Sequence, residues 1–171
     1  MSRIALISTG GTIEKTYEEL GGTLSNRVSV LDVMLAQLEL RGIEGITRIA
    51  LMNKDSLEMT PEDHARIAEE VLRQSADHAG VVVVHGTDRL AHSGEATLGR
   101  LRQAGGPRVP VVFTGAMRPF ELRRTDATQN LTEALLAVQV LPPGVYVSMH
   151  NRVLAFPGVR KDPATLTFVK D

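Results

Sequence analysis

Ile4-Ala5-Leu6-Ile7-Ser8-Thr9-Gly10-Gly11-Thr12-Ile13 is an apolar run of strand length that ends in two glycines and then presents a hydroxyl. A Gly-Gly pair lets the backbone turn sharply and lets a ligand approach the main chain closely. Taken alone, the segment fits a phosphate-cradling turn or an ordinary strand-to-loop corner as well as a reactive threonine at position 12. The remainder of the chain repeats the theme. Short β-branched runs alternate with longer helical patterns, which marks βαβ units around a mainly parallel sheet. The pattern predicts strands over 3–8, 47–52, 80–85, 109–114 and 144–149, and helices over 29–39, 61–75, 93–102 and 126–139.

The helix over 61–75 has the clearest boundary: Thr60 can cap it, Pro61 suits its first turn, and Glu62-Asp63 put negative charge at its positive end. Ala65, Ile67, Ala68, Val71 and Leu72 recur at helical spacing, so that face packs on the sheet. The expected fold is therefore α/β, a flavodoxin-like three-layer arrangement with a mainly parallel central sheet. A strand order of 2-1-3-4-5 would open a crevice between the first and third strands. Around it lie Gly10-Gly11-Thr12, Asp55-Ser56, Gly86-Thr87-Asp88, Gly115-Ala116-Met117 and His150-Asn151, each at the carboxyl end of a predicted strand. The long connection over 14–26 carries Gly21-Gly22 and polar residues, the composition of a lid over such a crevice.

Composition narrows the partners. A chain of 171 residues is most simply one domain, 1–171, with a core large enough to fold without disulfide or metal. Its 19 basic and 20 acidic side chains leave a net charge of -1, which gives no footprint for nucleic acid or a membrane surface. The absence of cysteine removes thiol catalysis, disulfides and thiolate metal sites. None of the 5 histidines forms a HExxH pair or another metal spacing, so no metal is expected. The apolar run after Met1-Ser2-Arg3 is too short for a signal-peptide core or a bilayer span, which points to the cytoplasm.

Two threonines and an aspartate pose a chemical problem, because an alcohol is a poor nucleophile until something removes its proton. Lys161, behind Gly158-Val159-Arg160, is a candidate to accept it through Thr87; it also reads as an ordinary surface lysine. The motifs in combination resemble the bacterial-type L-asparaginase family. They are Thr9-Gly10-Gly11-Thr12-Ile13, His85-Gly86-Thr87-Asp88 and Thr114-Gly115-Ala116-Met117-Arg118-Pro119, with Asp55-Ser56-Leu57-Glu58-Met59-Thr60-Pro61 resembling the family's substrate-binding loop. Arg124-Thr125-Asp126 with Asn130-Leu131, and Val153-Leu154 with Val159 and Lys161, extend the likeness in the family's order.

The resemblance implies a fold of the asparaginase N-terminal-domain type and hydrolysis of L-asparagine to aspartate and ammonia through an acyl-enzyme, with no cofactor. It implies Thr12 as nucleophile, Thr87, Asp88 and Lys161 as the second catalytic group, and Tyr17 as the lid tyrosine. Ser56 and Asp88 would hold the substrate's α-carboxyl and α-amino groups, with Gly11, Asp55, Leu57, Gly86 and Ala116 lining the same pocket. Backbone N–H groups of the turns after the first and fourth strands are the expected oxyanion donors. A homo-oligomer, dimer or tetramer, is implied too. The departures are a C-terminal domain absent from these residues, Arg89 where the family has threonine, Leu57 beside Ser56 in place of a polar residue, and Tyr17 close behind Thr12. A non-catalytic amino-acid-binding domain is the alternative, motivated by that missing domain.

Overall fold

In the computed structural model, which describes residues 2–170, the chain begins β1 (Ser2–Gly10), β2 (Thr16–Glu18), β3 (Thr23–Ser25), α1 (Leu31–Ala36), β4 (Ile43–Lys54) and α2 (Pro61–Gln74). It continues β5 (Gly80–Val84), α3 (Leu90–Gln103), β6 (Pro110–Thr114), α4 (Ala127–Val140) and β7 (Gly144–Met149), then β8 (Arg152–Ala155), β9 (Val159–Asp162) and β10 (Thr167–Lys170). The main sheet is ordered β4-β1-β5-β6-β7-β8, parallel except for the antiparallel edge strand β8. Its first five strands follow the expected 2-1-3-4-5 order. The chain leaves β1 on one side to make β4 and returns on the other to make β5, which sets the topological switch between β1 and β5.

Both faces of β1 and β5 are buried, so their apolar residues divide between two cores. Ala5, Ile7, Val81 and Val83 pack with Ile67 and Val71 of α2 and Leu98 and Leu101 of α3. Ile4, Leu6, Val82 and Val84 pack on the other side with Leu31 and Met34 of α1 and Leu131, Ala134 and Leu135 of α4. That division produces the three layers. α2 starts as its sequence dictates: Thr60 accepts from the Asp63 N–H, and the Asp63 carboxylate accepts from the Thr60 N–H at 3.0 Å, a complete capping box.

The structure corrects several boundaries. β4 begins at Ile43, because its first half pairs with β1 from Ser2↔Ile43 onward. α1 covers only Leu31–Ala36, since the Ser29 hydroxyl donates to Glu14 and residues 37–38 close in short turns. α3 begins earlier than predicted, at Leu90. The connection over 14–26 is a hairpin, β2 against β3 with Tyr17 opposite Leu24. A second hairpin, β9 against β10, pairs Lys161 with the buried Phe168. It is fastened to α3 at Phe156, whose ring fills the space a side chain on Gly94 would need; a Cβ there would stand 2.1 Å from Phe156 Cζ.

Candidate active site

The glycine turns at the strand ends are pressed against one another, main chain to main chain. Gly11 has a φ of 82°, and a Cβ on it would stand 2.4 Å from Gly86 Cα. A Cβ on Gly86 would stand 2.6 Å from Ser56 Oγ, and one on Gly115 would stand 2.3 Å from the His85 carbonyl oxygen. Only glycine permits this stacking. It brings the turns that lead to Thr12, Thr87 and Ala116 together at the switch between β1 and β5, where an open α/β sheet has its crevice.

Lys161 closes the crevice from the C-terminal hairpin. Its Nζ donates to Thr87 Oγ1 at 2.9 Å and to Asp88 Oδ1 at 2.7 Å. Thr12 opens a single 3-10 turn, and its hydroxyl has no protein partner among the described residues. Ser56 is buried, and its Oγ accepts the Arg89 N–H at 3.3 Å. Arg89 also donates through Nη1 to the Met59 carbonyl at 2.7 Å, so this departure from the family pattern staples the Ser56 turn to the Thr87-Asp88 turn. Asp55 accepts from the Leu57 N–H and pairs with Lys15 at 2.7 Å; Lys15 first, and that N–H second, hold its carboxyl below the usual range. Leu57 and Tyr17 are exposed, whereas the Ala116 side chain is sealed in the core, leaving only its main chain to face a ligand.

The expected oxyanion donors are partly engaged already. Gly10 N–H goes to Glu14 at 3.2 Å and Gly11 N–H to the Lys54 carbonyl at 2.8 Å. The Met117 and Arg118 N–H groups both go to Asp126, at 3.0 and 2.9 Å. Those four donors brace the turns instead of facing a substrate. Asp126 is buried and also meets His150 Nε2 at 2.7 Å and Asn130 Nδ2 at 3.0 Å. Burial pushes its carboxyl up, but the Met117 N–H, His150 and the Arg118 N–H together carry it below its ordinary value. Asn130 further donates to the Gly115 carbonyl at 2.9 Å.

Sequence reading quoted Asp126 and Asn130 in the resemblance without a bracing role, and it missed Asn26, whose Nδ2 ties the end of the β2–β3 hairpin to the Gly11 carbonyl at 2.8 Å. The bracing role of Asp126 and Asn130 could have been found, since an aspartate and an asparagine one helical turn apart at a helix start suit capping of a neighbouring loop. Lys15 and Asn26 carry no such signal. Among the described residues no group of three or more His, Cys, Asp or Glu side chains could hold a metal ion, and no helix is long and apolar enough to cross a membrane.

Fold and site together describe an α/β protein with two threonines, an aspartate and a lysine at the switch point of its sheet. The family model for the asparaginase N-terminal domain matches residues 3–166, and the chain belongs to the asparaginase family. It is 31% identical over 160 residues to an L-asparaginase of Thermococcus kodakarensis, covering 93% of this chain and 47% of that one. It is 35% identical over 150 residues to a glutamyl-tRNA(Gln) amidotransferase subunit of Haloquadratum walsbyi, covering 86% of this chain and 33% of the relative. The solved thermostable L-asparaginase from Thermococcus kodakarensis superposes with a TM-score of 0.85 at 30% identity, covering 98% of this chain and 51% of its own. A probable cytoplasmic L-asparaginase from Campylobacter jejuni gives 0.78 at 28% identity, over 99% of this chain and 52% of its own. The chain spans about half the length of these asparaginases and a third of the amidotransferase polypeptide.

Proposed function

We propose that the chain hydrolyses the side-chain amide of L-asparagine. Thr12 Oγ attacks the amide carbon, the carbon–nitrogen bond breaks, and the threonine proton leaves with the departing ammonia. Water then attacks the resulting ester, returning the proton to Thr12 and releasing aspartate. Thr87, with Lys161 on its oxygen, conducts protons between these partners, while Asp88 and Ser56 hold the amino and carboxyl groups of the substrate. Tyr17, on the lid hairpin, orients Thr12 when that hairpin closes and excludes water from the first step.

The observation that supports this reading is the 2.9 Å contact of Lys161 Nζ with Thr87 Oγ1 beside a threonine whose hydroxyl has no partner among the described residues. A module that only bound an amino acid would have little use for an amine on a buried hydroxyl. The likeness to amidotransferase polypeptides favours a second reading, in which the same chemistry releases ammonia from a different amide for transfer. A cytoplasmic location goes with either.

Ammonia release from asparagine and glutamine by the wild type, Thr12→Ala and Lys161→Met tests the proposal. We expect turnover of asparagine by the wild type alone, with each variant down by at least about a hundredfold in kcat. Full activity in either variant would remove that residue from the chemistry. Release from glutamine only would favour the second reading, and saturable binding with no ammonia would favour a non-catalytic domain.

A further inference from the structure

Next to the Thr87-Asp88 turn, three side chains outside the proposed chemistry form a continuous hydrogen-bonded chain. His85 Nδ1 lies 2.7 Å from the Gly86 carbonyl oxygen, His85 Nε2 lies 2.7 Å from Ser93 Oγ, and Ser93 Oγ lies 2.7 Å from His64 Nδ1. His85 and Ser93 are fully buried and His64 nearly so. The three come from the end of β5, from α3 and from α2, so the chain joins the elements that bear the Thr87-Asp88 and Ser56 turns.

The geometry allows one order of protons. A carbonyl oxygen only accepts, so His85 must carry its proton on Nδ1. Burial, opposed by the Gly86 carbonyl and aided by the nearby His64 and His92, pushes its pKa down to about 4, so the ring is neutral and Nε2 is an acceptor. The single hydroxyl proton of Ser93 must therefore point to His85. Toward His64 the serine can only accept, which puts the His64 proton on Nδ1. His92 stacks on the outer face of His64 with ring centroids 5.9 Å apart, restricting that ring in turn.

We infer that His64 and Ser93 are positioning residues, which hold the His85 ring in the orientation and tautomer that the Gly86 carbonyl selects and thereby keep that carbonyl and the Thr87-Asp88 segment in register with Lys161. Gly86 is the point of leverage. Its main chain is in contact with Gly11 on one side and Ser56 on another, so a shift there would reach the turns that lead to Thr12 and the Ser56 hydroxyl. The Ser56 side of the crevice has a separate brace in the two Arg89 bonds, which makes Thr87 and Lys161 the partners most exposed to loss of the relay.

This inference rests on the asparaginase reading for its kinetic arm only. Ser93→Ala is expected to lower kcat on asparagine about tenfold, with KM near the wild-type value, because misalignment of reacting groups acts on the chemical step. His64→Asn keeps a donor where Nδ1 stood and should retain most of the activity. His64→Phe keeps the ring and its packing but has no donor, and should match Ser93→Ala. The reverse ranking, phenylalanine active and asparagine impaired, would show that His64 serves by packing and would overturn the proposal.

A second arm needs no turnover and no variant. Long-range proton–nitrogen correlation of ring-labelled wild-type protein reads the His85 tautomer directly, and the expected result is a proton on Nδ1 alone at neutral pH. A proton on Nε2, or exchange between the two, would overturn the relay even if asparagine is hydrolysed. An Nδ1 proton in a protein that hydrolyses no amide would leave the relay standing and remove the asparaginase reading instead.

Discussion

Lys161 meets Thr87 and Asp88 from 74 and 73 residues further along the chain, and the quality of that meeting depends on the shape of its head group. A single ammonium can donate to a hydroxyl and a carboxylate oxygen at once, whereas a guanidinium presents a flat fork suited to a bidentate partner. Lys161→Arg should therefore fail to restore turnover, staying within about tenfold of Lys161→Met in kcat while its urea midpoint matches the wild type. An active arginine variant would mean that charge alone suffices at this position. The glycine turns and the threonines after them were legible in the sequence, because sharp turns after apolar strands leave few alternatives to a ligand-facing end. Lys161 was legible as a candidate base that also read as a surface lysine until the resemblance favoured it, and Lys15 was not legible at all: no spacing rule ties position 15 to position 55. Ala116 and the four engaged N–H groups show the opposite limit. A turn's composition reveals that its main chain is accessible in principle, but hydrogen-bond partners such as Asp126 and Glu14 decide which donors are left.

Elements, more than single residues, set where that lysine stands. β9 is short and pairs only with β10, so its position depends on Phe156 seated against Gly94 of α3. Gly94→Ala should force that ring aside, destabilise the protein by about 1–3 kcal/mol and lower kcat by displacing Lys161. Thr60→Ala is the contrasting case. It removes one half of the α2 capping box and should cost about 1 kcal/mol in urea unfolding, with kcat unchanged, because Lys54 still holds Asp63 at 2.8 Å. If the two variants lost activity in proportion to stability, the link from Gly94 to Lys161 would be wrong. The parallel strands and the helices between them were readable because β-branched runs buried on both faces and capped amphipathic segments have distinct periods. The two outlying hairpins were not, since strands of three or four residues are too short to carry a period and exist through contacts such as Asn26 with Gly11 and Phe168 with the core.

For the molecule as a whole, buried titratable groups set how stability depends on pH, and they do not all act in one direction. An unfolded histidine binds a proton near 6.5, but folded His85 resists protonation down to about 4. Between those values the unfolded chain holds more protons, so the full contribution is present above 6.5 and roughly 3 kcal/mol is lost as pH falls to about 4. Asp126 reinforces the loss at lower pH. Its folded carboxyl titrates below the ordinary 3.8, so its contribution is present above that value and disappears as pH falls through the folded pKa. Glu14 opposes both. Burial raises its pKa above 4.5 despite the Ser29 hydroxyl, Arg48 and the Gly10 N–H, so the folded state holds the extra proton and stability declines as pH rises past 4.5. Urea midpoints measured from pH 4 to 8 should therefore rise in the wild type between about 4 and 6.5 and gain nothing further from His85 above that. His85→Asn, whose amide can still donate to the Gly86 carbonyl, should flatten that rise between 4 and 6.5. Glu14→Gln should steepen the rise above 4.5, because it removes the opposing group while keeping an acceptor for Gly10 and a partner for Ser29. Equal slopes in all three proteins would mean that none of these buried groups governs the acid limb.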